Sequence, residues 1–119
     1  MMKVGIDAIE LERFKEISLD KNKLSKIFTQ NEIDYINKFS EKTSHISGFF
    51  CAKEAFVKAL GSGFGKNITP IDIEVLHMSS GKPYLNILSE SVKEEIKNSS
   101  VEISISHSKT IATAICIIY

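Results

Sequence analysis

The chain is expected to fold as an α+β protein, a small mainly antiparallel sheet packed with helices. Three observations predict this. A long helical pattern over about 45–60 stops at Gly61, a normal helix-ending residue. Residues 71–77 alternate Ile71, Ile73 and Val75 against Asp72 and Glu74, a strand signal. The chain closes on two apolar runs, 101–106 and 111–118, around a short connection at 107–110. That layout reads as an antiparallel pair.

The remaining elements follow in order. Residues 2–6 form a short apolar run consistent with a first strand, which Asp7 ends. Asp7 and Glu10 have capping-box spacing for a helix over about 9–17. Further helical patterns cover about 22–27 and 30–38, with Thr29 and Asn31 as candidate caps for the latter. Gly81-Lys82-Pro83 marks a turn before a short strand at 84–88, and 89–98 reads as a helix. With 119 residues and no linker or internal repeat, the expectation is one domain spanning 1–119.

Composition narrows the class. The chain is 43% hydrophobic and 25% charged, as an ordinary soluble globular protein is. Fifteen basic and fifteen acidic side chains cancel, so nothing global favours nucleic acid or an anionic membrane. Locally, Arg13, Lys15, Lys21, Lys23 and Lys26 outnumber Glu16 and Asp20. That excess is either a solvated helical surface or a docking patch for an acidic partner. Cys51 and Cys116 have no metal-binding spacing and sit in apolar patterns, which suits a reduced, cytoplasmic setting. No apolar run has the length of a signal peptide or a bilayer span.

The central helix carries the chemistry. At ~100° per residue, Ile46, Phe49, Phe50, Phe56, Val57 and Leu60 share one apolar stripe. Ala52, Ala55 and Ala59 make a second face that permits close approach of another element. Glu54, Lys58 and Cys51 lie on the remaining side, whereas Lys53 falls inside the apolar stripe. A lysine there must snorkel or find a partner. Glu54 and Lys58 have the spacing of an i,i+4 surface ion pair. They equally have the chemistry to hold a hard cation and a phosphate. Gly61-Ser62-Gly63-Phe64-Gly65 follows the helix rather than preceding it, so it is neither a Walker loop nor a dinucleotide fingerprint. To bind phosphate it would use backbone amides as a nest, helped by Ser62 and Lys66. Asp7 is either a cap or a second metal carboxylate; with Glu54 it would suit Mg²⁺, which takes few protein ligands. His107 lies among hydroxyls at a strand end, placed for a phosphate or hydroxyl contact. His45 and His77 have no such company.

Three separated segments occur in order: Gly5-Ile6-Asp7 with Arg13; Ala52-Lys53-Glu54-Ala55-Phe56 with Lys58-Ala59 and the glycine loop; and Ser104-Ile105-Ser106-His107 with Ala112 and Ala114. This pattern resembles the holo-acyl-carrier-protein synthase family, the small bacterial phosphopantetheinyl transferases. The resemblance spans nearly the whole chain, including Phe28-Thr29 with Glu32, and Gly81-Lys82-Pro83. It implies Mg²⁺-dependent transfer of the phosphopantetheine arm of coenzyme A to a serine of apo-acyl carrier protein, releasing adenosine 3′,5′-bisphosphate. By resemblance, Asp7 and Glu54 are the metal ligands, and Lys58 contacts the phosphates. The coenzyme would meet Gly61, Ser62, Gly63, Gly65, Lys66 and His107, and the acidic carrier helix would meet Arg13 and Lys21. The resemblance also implies a homotrimer with each site at a subunit interface. One departure is visible. The family commonly has Gly-Arg-Phe before Ala-Ala-Lys-Glu, whereas this chain has Gly48-Phe49-Phe50-Cys51-Ala52. Lys42, Lys66 or Lys109 would then have to supply the missing charge. The competing readings are a non-catalytic coenzyme A or nucleotide-binding module, and a structural protein with 111–118 as an oligomer edge.

Overall fold

Strand pairing between the two ends of the chain organises the molecule. A computed structural model describes residues 1–119. In it Lys3–Glu10 (β1) runs antiparallel to Ile111–Ile118 (β5), from Lys3 opposite Ile118 to Glu10 opposite Ile111. Val101–His107 (β4) pairs with the other edge of β5, giving the order β1-β5-β4. Ile73–His77 (β2) and Pro83–Ile87 (β3) form a separate two-stranded antiparallel sheet. The α+β class is as expected, with every strand pairing antiparallel.

The expected helix over 9–17 is absent. β1 continues to Glu10, so Asp7 is mid-strand, opposite Ala114, and caps nothing. The strand is followed only by short 3-10 turns at Leu11–Phe14 and Ile17–Leu19. Pairing with an eight-residue partner strand outweighed the local capping pattern. The other helices fall close to expectation: Lys21–Ile27 (α1), Gln30–Ile36 (α2), Thr43–Leu60 (α3) and Glu90–Glu95 (α4). Asp20 caps α1, accepting from the amides of Asn22 and Lys23. Of the two candidates for α2, Thr29 is the cap, in a reciprocal box with Glu32.

α3 lies across the inner face of the three-stranded sheet, and its alanine face makes the close approach. Ala55 and Ala59 meet β1 at Gly5, and Gly48 meets Ile105. Phe56, Val57 and Ile46 on α3 are fully buried. The outer face of the sheet is uncovered, leaving Val4, Ile6, Ile111 and Ile115 exposed.

Lys53 finds its partner 21 positions back. It is fully buried, and its Nζ donates to Glu32 Oε1 at 2.6 Å, Ile27 O at 2.7 Å and Pro70 O at 2.8 Å. Glu32 also accepts from the amides of Thr29 and Val75, both at 2.9 Å. Burial pushes the Glu32 carboxyl up and the Lys53 ammonium down, each offset by the other's charge. The pair ties α1, α2, α3 and β2 together. Lys53→Ala would strand a buried carboxylate without its counter-charge, at about 3–5 kcal/mol. Urea denaturation should show that loss, with much of it recovered in Glu32→Gln/Lys53→Met. A loss below about 1 kcal/mol would contradict the buried pair.

Phe49, where the family pattern suggests arginine, is buried in a ring cluster. It packs on Tyr35 (5.7 Å) and His77 (5.5 Å). Tyr35 and His77 stack at 4.0 Å, and Phe39 stacks on His45 at 3.9 Å. The two histidines without an assigned role are therefore packing residues. Burial, first of all, holds both below the usual imidazole range.

Candidate active site

Asp7 points to the inner side of β1, and α3 comes to meet it because Gly5, two residues earlier, has no side chain. A Cβ at Gly5 would stand 2.6 Å from Ala59 N and closer still to the Ala55 carbonyl oxygen. This contact sets Glu54 and Lys58 beside Asp7. Lys58 Nζ donates to Asp7 Oδ1 and to Ile6 O, both at 3.0 Å. The lysine therefore pairs with the strand and not with Glu54 on its own helix, which corrects the i,i+4 reading. Glu54 makes no ion pair and no hydrogen bond. Burial and then the Asp7 charge raise its pKa, with Lys58 and Arg13 opposing. Beneath them Cys51 is buried, its thiol donating to Ala112 O at 3.5 Å. Burial and the Asp7 charge push that thiol up to about 12, so it remains protonated and inert. The Ile6 carbonyl is a site element that sequence reasoning missed; a backbone acceptor leaves no signal in residue identity.

Two neighbouring carboxylates with a single lysine between them leave uncompensated negative charge. No third His, Cys, Asp or Glu joins them to complete a metal-binding group. A cation here would take two protein carboxylates and fill its shell with water and phosphate oxygens. That donor set fits Mg²⁺.

The glycine loop differs from the nest expected of it. Gly61 (φ 88°) ends α3, its amide donating to Val57 O and Lys58 O. Gly63 N also returns to Val57 O, and Gly65 N donates to Ile68 O. Those three amides are therefore committed within the chain, and the first two sit at the negative end of a helix, which repels anions. The donors left for a phosphate are the exposed side chains of Ser62 and Lys66 and the amides of Ser62, Phe64, Lys66 and Asn67, which have no partner in the chain.

His107 does not join the carboxylates within the chain. It pairs with Ala112 across β5 from Ile9, one inward row beyond Asp7. It lines a cleft of about 580 Å³ with Lys15, Glu41, Ser44, Ser108 and Lys109. Arg13 is exposed on the turn after β1 and belongs to no ion pair. Lys21 is exposed at the start of α1, on the wall of a cleft of about 670 Å³ that also holds Lys42 and Leu19.

A helix laid on an antiparallel sheet, with two carboxylates and a lysine at their contact, has the parts of a phosphoryl-transfer enzyme. The family model described as the 4'-phosphopantetheinyl transferase superfamily matches residues 3–116. The chain belongs to that superfamily and is a phosphopantetheinyl transferase. Its relatives narrow the kind. Holo-[acyl-carrier-protein] synthase of Clostridium botulinum (strain Eklund 17B / Type B) is 45% identical over 119 residues, covering 97% of this chain and 94% of the relative. The synthase of Fusobacterium nucleatum is 38% identical, covering 97% and 96%. Among solved structures, the Bacillus anthracis synthase in complex with CoA (3',5'-ADP) superposes with a TM-score of 0.82 at 38% identity, covering 99% of this chain and 97% of the other. The Helicobacter pylori synthase in complex with coenzyme A gives 0.83 at 29% identity, covering 98% and 99%. The family expected from the motifs is thereby borne out.

Proposed function

We propose that the chain transfers the 4′-phosphopantetheine arm of coenzyme A to a serine of apo-acyl carrier protein, releasing adenosine 3′,5′-bisphosphate. The observation that carries this is the meeting of Asp7, Glu54 and Lys58 at the β1–α3 contact. Asp7 and Glu54 would hold Mg²⁺, which when bound neutralises charge on the diphosphate and on the leaving phosphate. Lys58, half-exposed on its Asp7 tether, is long enough to turn its ammonium onto the diphosphate oxygens. The serine proton would pass to Glu54 or to a water beside it. Ser62 and Lys66 supply donors at the foot of α3. Binding both substrates at one site contributes orientation, a large part of such barriers. The test is direct: incubate the protein with apo-carrier protein, coenzyme A and Mg²⁺, then weigh the carrier protein by mass spectrometry. One added phosphopantetheine, lost with chelator, supports the reading; coenzyme A binding with no metal-dependent product would favour a binding module.

Arg13 and Lys21 form the docking side for the acidic carrier protein. Arg13→Glu should weaken carrier binding by ten-fold or more, ~1.4 kcal/mol, measured by calorimetry. Coenzyme A affinity should stay nearly unchanged; equal losses in both would refute docking.

The assembly proposed is a homotrimer built on the uncovered sheet face. Val4 and Ile6 are 53% and 63% exposed, and they lie opposite Ile117 and Ile115 in one apolar strip. With each site proposed at a subunit interface, burying that strip against copies of the chain would also complete the site. Ile6→Glu should therefore lower the solution mass from three chains of 13.3 kDa toward one. Transfer should fall with it. A fully active monomer in light scattering would rule the shared site out.

A further inference from the structure

Arg13 stands at the site without anything gripping its side chain. Its neighbours Glu12 and Lys15 pair with each other at 2.9 Å, and Arg13 has no carboxylate within ion-pair distance. What holds its backbone is the turn itself. Leu11 N donates to Thr110 O at 2.9 Å, and Leu11 and Phe14 are both buried. Phe14 packs its ring on Phe50 of α3, with centroids 5.1 Å apart and planes at 52°. Phe50 lies one helical turn before Glu54, on the same side of α3. The ring pair therefore locks the residue after Arg13 onto the turn of α3 that leads to Glu54. Arg13 is close enough for its charge to act on Glu54 yet not paired with it.

We infer that Phe14 is a positioning residue for carrier-protein transfer, acting through Arg13: its ring, seated on Phe50, fixes where the backbone of the docking residue stands relative to the turn of α3 that carries Glu54. This rests on the transferase reading above and assigns it a determinant that touches neither substrate. Docking and chemistry would then share one rigid link, so the carrier serine arrives at the carboxylates in register with the surface that binds its helix.

The experiment compares Phe14→Leu, which keeps an apolar side chain in the core and loses the ring contact, in the native chain and in an Arg13→Ala background. Transfer is followed by mass spectrometry of the carrier protein, with KM for carrier and for coenzyme A measured separately. In the native chain Phe14→Leu should lower kcat/KM for carrier protein about ten-fold, while KM for coenzyme A moves less than two-fold. In the Arg13→Ala background the same substitution should change kcat/KM for carrier less than two-fold. Phe50→Leu should reproduce the pattern, and Phe14→Leu/Phe50→Leu should be no worse than either alone. Equal losses in both backgrounds would show a merely structural role and overturn the inference, as would no loss in the native chain. Absence of any transfer by the native chain would overturn the functional reading itself.

Discussion

Glu54→Gln is expected to abolish transfer while leaving the fold as stable as before, or more so. A bound cation is worth several kcal/mol of transition-state stabilisation. At ~1.4 kcal/mol per decade, losing it lowers the rate on the order of 10³-fold. The stability side follows from the sign of the Glu54 shift. Its pKa is raised, chiefly by burial and then by Asp7. The ionised form is thus disfavoured in the folded chain, and at neutral pH the charge works against folding. That penalty fades as pH falls through the raised value. A neutral isostere removes it and takes no hydrogen bond with it. Asp7→Asn is the instructive contrast, because Asp7 accepts from Lys58 and its loss frees the lysine as well. Single-turnover transfer and thermal melting of both variants decide the matter. Normal turnover in Glu54→Gln would sink the metal assignment, and a lower melting temperature would contradict the electrostatics described here.

Gly5→Ala should be the most damaging small substitution in the chain. The new methyl would overlap the Ala55 carbonyl and stand 2.6 Å from Ala59 N. Both are backbone atoms of α3, so no rotamer change relieves the clash, and the strand must leave the helix. Overpacking costs about 1–3 kcal/mol where side chains can yield; here at least the upper end is expected. For a domain of this size that lowers Tm by roughly 10 °C. Transfer should fall further than stability predicts, because Asp7 is carried by the same strand two residues on. Gly65→Ala is the matched control, with nothing within 4 Å of the new Cβ. A Gly5→Ala melting temperature within about 2 °C of the parent would show that the β1–α3 contact is looser than described.

The parts of the fold legible in advance were those written in short-range pattern. α3 and its Gly61 stop, the β2–β3 hairpin around Gly81, the Thr29 cap and the terminal strand pair all lie within a residue or three of expectation. The helical wheel of α3 separated the alanine face from the chemical edge correctly. The misreadings share one cause. Asp7 and Glu10 look like a capping box locally, and Glu54 and Lys58 look like a helical ion pair. In each case a partner more than 40 positions away decided otherwise: Ala114 in the strand pairing, and Asp7 on Lys58. The glycine loop read as a nest of amides because residue identity does not say which way an N–H points; the helix C-terminus turned those of Gly61 and Gly63 inward, and Ile68 took that of Gly65.

The amino-acid sequence by itself determined the family and most of the order of elements, and singled out Asp7, Glu54 and Lys58 as candidates, because motif, period and turn chemistry are local properties of the chain. Tertiary structure alone decided that Lys53 is fully buried against Glu32, that Lys58 answers to Asp7, and that Phe49 joins Tyr35 and His77. It also decided that His107 lies away from the two carboxylates. Each of those outcomes is a choice of partner for a charge or a ring. The choice depends on which distant groups are desolvated together once the sheet closes on α3, and no stretch of neighbouring residues records it.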